Sequence, residues 1–315
     1  MCTSCGCQGQ GTTMINLQTG ASTEIAARPE HRHHHRHSHG ADGDQGHDHV
    51  HGEHHHAHDE HHHDEHDHHH GREHGHAHAH DHGDHDHAHE DFHRRLDLET
   101  RILAKNDAIA AKCRAWFSGR EIVALNLVSS PGAGKTTLLE RAIADLSGEL
   151  PLFVIEGDQA TANDGERIRA AGAPVVQVNT GTGCHLDAEM IARGLSELKP
   201  SVGSLVFIEN VGNLVCPALF DLGEHAKAVI FSTTEGEDKP LKYPHMFSAA
   251  KLVIFNKTDL LPHLDFFMEQ ARENVLRVNP DVEIVEVSAK TGAGMQTLYD
   301  WIRTQRMAAK PAALV

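Results

Sequence analysis

No stretch of the chain approaches the roughly 18 consecutive apolar residues that cross a bilayer, so no membrane partner is expected. Positive charge is in deficit: 28 Lys and Arg stand against 45 Asp and Glu, for a formal net charge of −17. That balance repels phosphate backbones and argues against nucleic acid as a partner. The N-terminus, Met1-Cys2-Thr3-Ser4-Cys5-Gly6-Cys7, has neither the basic nor the apolar region of a secretory signal. These absences together point to the cytoplasm. Cysteine is sparse, six in 315 residues. In a reducing compartment six thiols read as ligands or reduced side chains, not as a disulfide framework.

The largest local deficit is of apolar residues. Residues 31–93 contain only Val50 and Phe92 as large apolar side chains, yet hold 29 of the 33 histidines. With 15 Asp or Glu and 3 Arg, this window carries −12 of the net charge. Such a segment cannot bury enough surface to offset the entropy of ordering it, and disorder is the expectation. Runs such as His54-His55-His56 and His68-His69-His70 bind late first-row metals through neutral imidazole. Capacity matters in such a tract, not any one residue. The organisation expected is therefore a cysteine motif and polar linker over 1–30, the histidine tract over 31–93, and one well-buried domain over 94–315. Apolar residues at three- and four-residue steps from Phe92 to Phe117 predict that this domain opens with an amphipathic helix over 94–118. Cys113 falls on that helix's apolar stripe and reads as a core thiol.

What the domain does possess is Ser129-Ser-Pro-Gly-Ala-Gly-Lys-Thr-Thr137, between the apolar run 122–128 and a helical pattern. Strand, glycine-rich turn and helix in that order make a phosphate-binding loop. Gly132, Ala133 and Gly134 would curl the backbone so that its N–H groups, with those of Thr136 and Thr137, converge on one anion. Lys135 would set a positive charge beside the outer phosphates, and the Thr136 hydroxyl can ligate the Mg2+ that travels with a nucleotide. Alternating strand and helix patterns follow, with strands near 151–156, 174–178, 204–209, 227–232, 251–255 and 283–287. They predict an α/β fold of the P-loop NTPase type, with a mainly parallel central sheet flanked by helices. Ligands in such sheets collect at the carboxyl ends of the strands. Asp158 and Glu209 stand at two of those ends and are candidates to hold magnesium or its water shell.

Asn256-Lys257-Thr258-Asp259 ends a further strand. The Asp259 carboxylate can accept hydrogen bonds from the N1–H and 2-amino group of guanine, donors that adenine lacks. Asn256 can read the other base edge while the Lys257 stem covers the ring. Ser288-Ala289-Lys290 follows the next strand and would close the pocket with a backbone N–H. Together these motifs indicate GTP over ATP. No glutamine or arginine announces itself as a water-positioning group, so slow turnover is expected.

Two cysteine sets remain. Cys2-x-x-Cys5-x-Cys7 can bring three sulfurs to one ion, with a terminal amine or backbone nitrogen as a fourth donor, a set that suits Ni2+ as well as Zn2+. A redox pair or a fragment of an iron–sulfur motif would use the same residues. Cys184-His185 follows one strand and Cys216 another, and the two loops should open on the nucleotide's edge of the sheet. They offer three ligands, one short of a closed tetrahedral site. The bland alternative is two unrelated thiols and a surface histidine.

At this point the sequence resembles the nickel-incorporation GTPases of hydrogenase maturation, the HypB family of SIMIBI-class P-loop GTPases. The resemblance covers residues 1–7 and nearly all of 92–305. It rests on Cys2-x-x-Cys5-x-Cys7, Ser130-Pro-Gly-Ala-Gly-Lys-Thr-Thr137, Glu156-Gly-Asp-Gln159, Asn179-Thr-Gly-Thr-Gly-Cys-His-Leu-Asp187, Phe207-Ile-Glu-Asn-Val-Gly-Asn-Leu-Val-Cys-Pro217, Glu235-Gly-Glu-Asp-Lys-Pro-Leu-Lys-Tyr-Pro-His245 and Asn256-Lys-Thr-Asp259. It implies a GTPase that helps load nickel into [NiFe] hydrogenase, with the hydrogenase large subunit and other maturation proteins as partners. It also implies a high-affinity nickel site at Cys2, Cys5 and Cys7. A weaker Ni2+ or Zn2+ site is implied at Cys184, His185 and Cys216, at the interface of a GTP-dependent homodimer. A urease-accessory GTPase and a metal store with a relic nucleotide fold are the rivals. The N-terminal cysteines and the Cys184-His185 pair disfavour the first, and intact Lys135, Thr136 and Asp259 disfavour the second.

Overall fold

Seven apolar runs of the sequence become the parallel strands of one sheet. They are β3 (Val123–Ser129), β4 (Leu152–Asp158), β5 (Val175–Asn179), β6 (Leu205–Glu209), β7 (Ala226–Ser232), β8 (Leu252–Asn256) and β9 (Glu283–Glu286). Two antiparallel strands, β1 (Thr12–Asn16) and β2 (Ser22–Ile25), extend it, giving the order β2-β1-β5-β4-β6-β3-β7-β8-β9. The computed structural model describes residues 12–25, 86–159, 163–181 and 183–309, those of 86–96 as backbone only. Cys2, Cys5, Cys7 and most of the histidine tract lie outside the described residues. The described residues of Met1–Arg28 and Asp91–Val315 belong to one compact unit. That unit carries the whole sheet.

Strands buried on both faces need helices on both, and the apolar clusters divide accordingly. On one face α2 (Lys135–Leu146) and α9 (Met295–Ala309) cover Leu125, Leu127, Val154 and Phe207, with Leu139, Ile143 and Trp301 in the interface. On the other, α1 (Asp86–Ser118) and α4 (Ala188–Leu198) place Cys113, Phe117 and Ile191 against Ala124, Ile155, Val206 and Ile208. α3 (Asn163–Ala170) follows β4 and supplies Ile168 to the first face. Beyond β7, α7 (Pro244–Ser248) and α8 (Met268–Val278) close a third cluster around Phe231, Phe247 and Phe255. Cys113 is buried in this packing, which raises its thiol pKa, and it is a core thiol. Two one-turn helices, α5 (Cys216–Leu219) and α6 (Lys239–Lys242), and a 3-10 segment over Thr258–His263 occupy the carboxyl-end loops. Among the described residues no helix is long and apolar enough to cross a membrane.

Residues 12–25 correct the reading of this stretch as polar linker. They form a hairpin joined to the sheet through antiparallel pairing of β1 with β5, Met14 opposite Val178. The Asn16 side chain accepts from the N–H groups of Gln18 and Thr19 and so closes the turn, which ends at Gly20 with φ 71°. Only Met14, Asn16 and Ile25 are buried. A three-residue buried set in a hairpin at the sheet's edge is too thin a pattern for periodicity to register.

Candidate functional site

The phosphate loop follows β3 and delivers the chain into α2. Gly132 and Gly134 hold φ of 75° and 91°, backbone that a side chain disfavours. At Gly134 space is closed as well: a Cβ there would stand 2.8 Å from the Asn256 amide nitrogen. Lys135 donates to Ser129 Oγ at 3.0 Å. Burial pulls its pKa below the usual lysine range, against the opposing pull of Glu209, Asp164, Glu156 and Asp158.

The Thr136 hydroxyl donates to Glu209 Oε1 at 2.8 Å. Register then brings in a carboxylate that motif reading passed over. In the parallel pairing of β4 with β6, Glu156, not Asp158, stands beside Glu209. Both glutamates are almost fully buried, and each keeps one carboxylate oxygen without a protein partner. Burial pushes Glu156 up to about 9, helped by the neighbouring Glu209, and burial pushes Glu209 up to about 7. Asp158 sits two residues on along the same face of β4, half-buried at the strand's end, accepting from the Gln159 N–H. Two unsatisfied hard oxygens beside a threonine hydroxyl fit a divalent cation and its water shell. Asp164, at the start of α3, is a second omission. Its signal was present as an acid in a helix's first turn, but the loop before it concealed the direction.

The folded state holds the Glu156 proton far more tightly than the unfolded chain, whose carboxyl titrates near 4.5. Its stabilising contribution is complete below that value and is lost as the pH rises toward about 9. Glu156→Gln should therefore flatten the fall in stability of the nucleotide-free protein between pH 5 and pH 8 by about 4 kcal/mol. Urea midpoints at the two pH values measure it. An unchanged slope would place the buried proton elsewhere.

The base side is braced to the phosphate side. Asn256 donates to Ala133 O at 3.0 Å and accepts from the Ala289 N–H at 3.2 Å. The sequence assigns Asn256 to a base edge; in the fold its amide ties three loops together. Lys257, at φ 64°, crosses the phosphate loop to donate to Gly132 O at 2.6 Å. Asp259 Oδ1 accepts from the Ser288 hydroxyl at 2.6 Å, and Lys290 stands on the turn beyond. This aligns a carboxylate at the end of β8 with its acceptor atoms fixed in direction.

The two cysteine loops meet. Ligand atoms of Cys184, His185 and Cys216 lie within 4.8 Å of one another, and all three residues are half-buried. The two sulfurs are 2.8 Å apart, and Cys184 Sγ is 3.7 Å from His185 Nδ1. Cys184-His185 is suspended between the Thr180–Gly183 turn and the Asp187 cap of α4. Cys216 opens α5, preceded by Asn213, which accepts from the Val215 N–H. The His185 ring lies against Phe220, centroids 3.9 Å apart. Cys216 lies seven positions past Glu209, the Thr136 partner.

The model of the CobW/HypB/UreG nucleotide-binding domain matches residues 123–286. The hydrogenase maturation factor HypB of Azotobacter vinelandii is 59% identical over 213 residues, which span 68% of this chain and 70% of that protein. Among solved structures, HypB from Archaeoglobus fulgidus is 36% identical, with a TM-score of 0.61 over 64% of this chain and 99% of that one. HypB from Helicobacter pylori in complex with nickel is 34% identical, with a TM-score of 0.61 over 67% of this chain and 99% of that one.

Proposed function

The chain belongs to the CobW/HypB/UreG family of nucleotide-binding proteins, within it to the HypB hydrogenase maturation factors, and on that premise we propose that it is a GTP-hydrolysing nickel carrier. It assists nickel insertion into [NiFe] hydrogenase, with the hydrogenase large subunit and other maturation proteins as partners. Gly132 to Thr137 receive the phosphates, Lys135 places its charge on the outer ones, and Asp259 with Ser288 selects guanine. Thr136, Glu209 and Asp158 would hold the magnesium that neutralises developing phosphate charge, and Glu156 belongs with them. Nickel, or zinc in its place, is cargo for Cys184, His185 and Cys216. Cys2, Cys5 and Cys7 would form the tighter nickel site, and the histidine tract a reserve. Val215 and Leu219 remain about half exposed on either side of Cys216 (55% and 53%). That suits a GTP-dependent homodimer whose interface crosses the metal loops.

One observation carries this reading. Glu209 accepts from the hydroxyl that a nucleotide's cation would take, and the same loop runs on to Cys216 beside Cys184 and His185. A nucleotide that reorders Glu209 reorders a metal ligand, and by linkage the metal must alter nucleotide binding by the same factor. Nickel affinity of the Cys184 cluster, titrated with a non-hydrolysable GTP analogue and then with GDP, should differ by roughly 5- to 150-fold. Equal affinities would remove the coupling.

A further inference from the structure

Four polar side chains are buried in a part of the core where apolar residues would pack at lower cost. Asn126 in the middle of β3 is 0% exposed, Asn210 is 2% and Lys227 is 7%. The Glu224 side chain is 8% exposed. Asparagine is depleted in strands, and a buried ammonium–carboxylate pair rarely repays its desolvation. These residues answer to none of the nucleotide contacts described above.

They are joined end to end. Asn210 Nδ2 donates to Asn126 Oδ1 at 3.3 Å, and Asn126 Nδ2 donates to Glu224 Oε1 at 3.1 Å. Lys227 Nζ lies 3.8 Å from the same Glu224 oxygen. Their bonds to main chain reach the neighbouring loops and α5. Asn210 Oδ1 accepts from the N–H groups of Leu186 and Val211, at 3.2 and 3.0 Å. Glu224 Oε2 accepts from the Leu222 N–H at 2.7 Å. Lys227 donates to Pro217 O at 2.8 Å and to Phe220 O at 3.4 Å. One end of the chain thus grips the residue after His185. The other grips the residue after Cys216 and the residue whose ring covers His185. Main-chain groups that no helix or strand pairs are satisfied here by side chains anchored in the sheet.

We propose that Asn126, Asn210, Glu224 and Lys227 form a buried polar brace that sets the spacing between the loops carrying Cys184, His185 and Cys216. The proposal rests on reading those three residues as a metal site and names what pre-organises it. Ligand sets held by outer hydrogen-bond partners lose about 10- to 100-fold in metal affinity when the partners are removed. Lys227→Met frees the Pro217 and Phe220 carbonyls but also strands the Glu224 charge. The Glu224→Gln/Lys227→Met double variant removes both charges together, so no lone charge is left in the core while the grip on α5 is still lost.

The test uses the full chain with Cys2, Cys5 and Cys7 replaced by serine. Its thiolate-to-nickel charge-transfer band, which imidazole in the histidine tract does not produce, then reports the Cys184 cluster. Nickel alone is the probe, and the joint Cys184→Ser/Cys216→Ser change identifies the band. In the double variant the nickel midpoint should rise about 10- to 100-fold, with GTP-analogue affinity, which reports that the domain is folded, close to that of the parent. A nickel midpoint within threefold of the parent's would overturn the brace and leave the metal site standing. A parent whose band is absent, or survives the joint Cys184→Ser/Cys216→Ser change, would overturn the metal site and the brace with it.

Discussion

Lys135→Ala should lower GTP turnover by about two to three orders of magnitude, the loss expected when one preorganised donor to developing charge is deleted. Lys135 is the cation placed among Glu209, Asp164, Glu156 and Asp158. Its removal does more than delete a phosphate contact. Glu156 and Glu209 stand side by side, and the ammonium is the charge that opposes their mutual repulsion and burial. Without it the pair should hold its proton to higher pH and bind magnesium more weakly. Nucleotide-free nickel binding at Cys184, His185 and Cys216 should persist, because the loops are held from below by Asn126, Asn210 and Lys227. Its dependence on nucleotide should vanish. Single-turnover hydrolysis and nickel titration with GTP analogue or GDP measure the two effects. Turnover within tenfold of wild type would remove Lys135 from the chemistry.

Asp259→Asn should cost GTP affinity about a thousandfold or more and move preference toward xanthosine triphosphate. Guanine presents two adjacent donors, N1–H and the 2-amino group, and a carboxylate accepts both. An amide offers one acceptor and one donor. It leaves an N–H facing an N–H against guanine, but meets a base that carries a carbonyl at the second position. The Ser288 hydroxyl fixes the orientation of Asp259 at 2.6 Å, so the site has little freedom to rotate away from the mismatch. Competition among GTP, ATP and xanthosine triphosphate is the measurement. An unchanged preference for GTP would place guanine recognition outside Asp259.

The motifs that could be read from the sequence are those whose chemistry lies within a few consecutive residues. The phosphate loop is a turn of nine residues, and Asn256-Lys-Thr-Asp259 is a single strand end. Their side chains act from positions their own backbone sets. The parallel sheet was legible for a related reason, since strands buried on both faces appear as continuous apolar runs such as Leu205–Ile208. The 12–25 hairpin was not, because its burial depends on β5, which lies some 160 residues away in sequence.

Glu156 shows the same limit at the site itself. Nothing in Leu152-Phe-Val-Ile-Glu-Gly-Asp158 says which acid will stand beside Glu209, and strand register chose the earlier one. Asn256 gains a bracing role beside its assignment to the base, because Ala133 and Ala289, both remote in sequence, bond to its amide.

The order of amino acids alone therefore determined that this chain has a nucleotide loop, a candidate base-reading strand end, a sheet of the P-loop type and candidate metal ligands. Each is set by local sterics or by the alternation of apolar and polar residues. Only the tertiary structure decided that Cys184 and His185 meet Cys216, that Glu156 adjoins Glu209, and that Asn126 and Lys227 join a buried hydrogen-bonded chain beneath those loops. Those meetings depend on which strands lie side by side. That choice is made by packing across the whole sheet, through contacts between residues tens of positions apart.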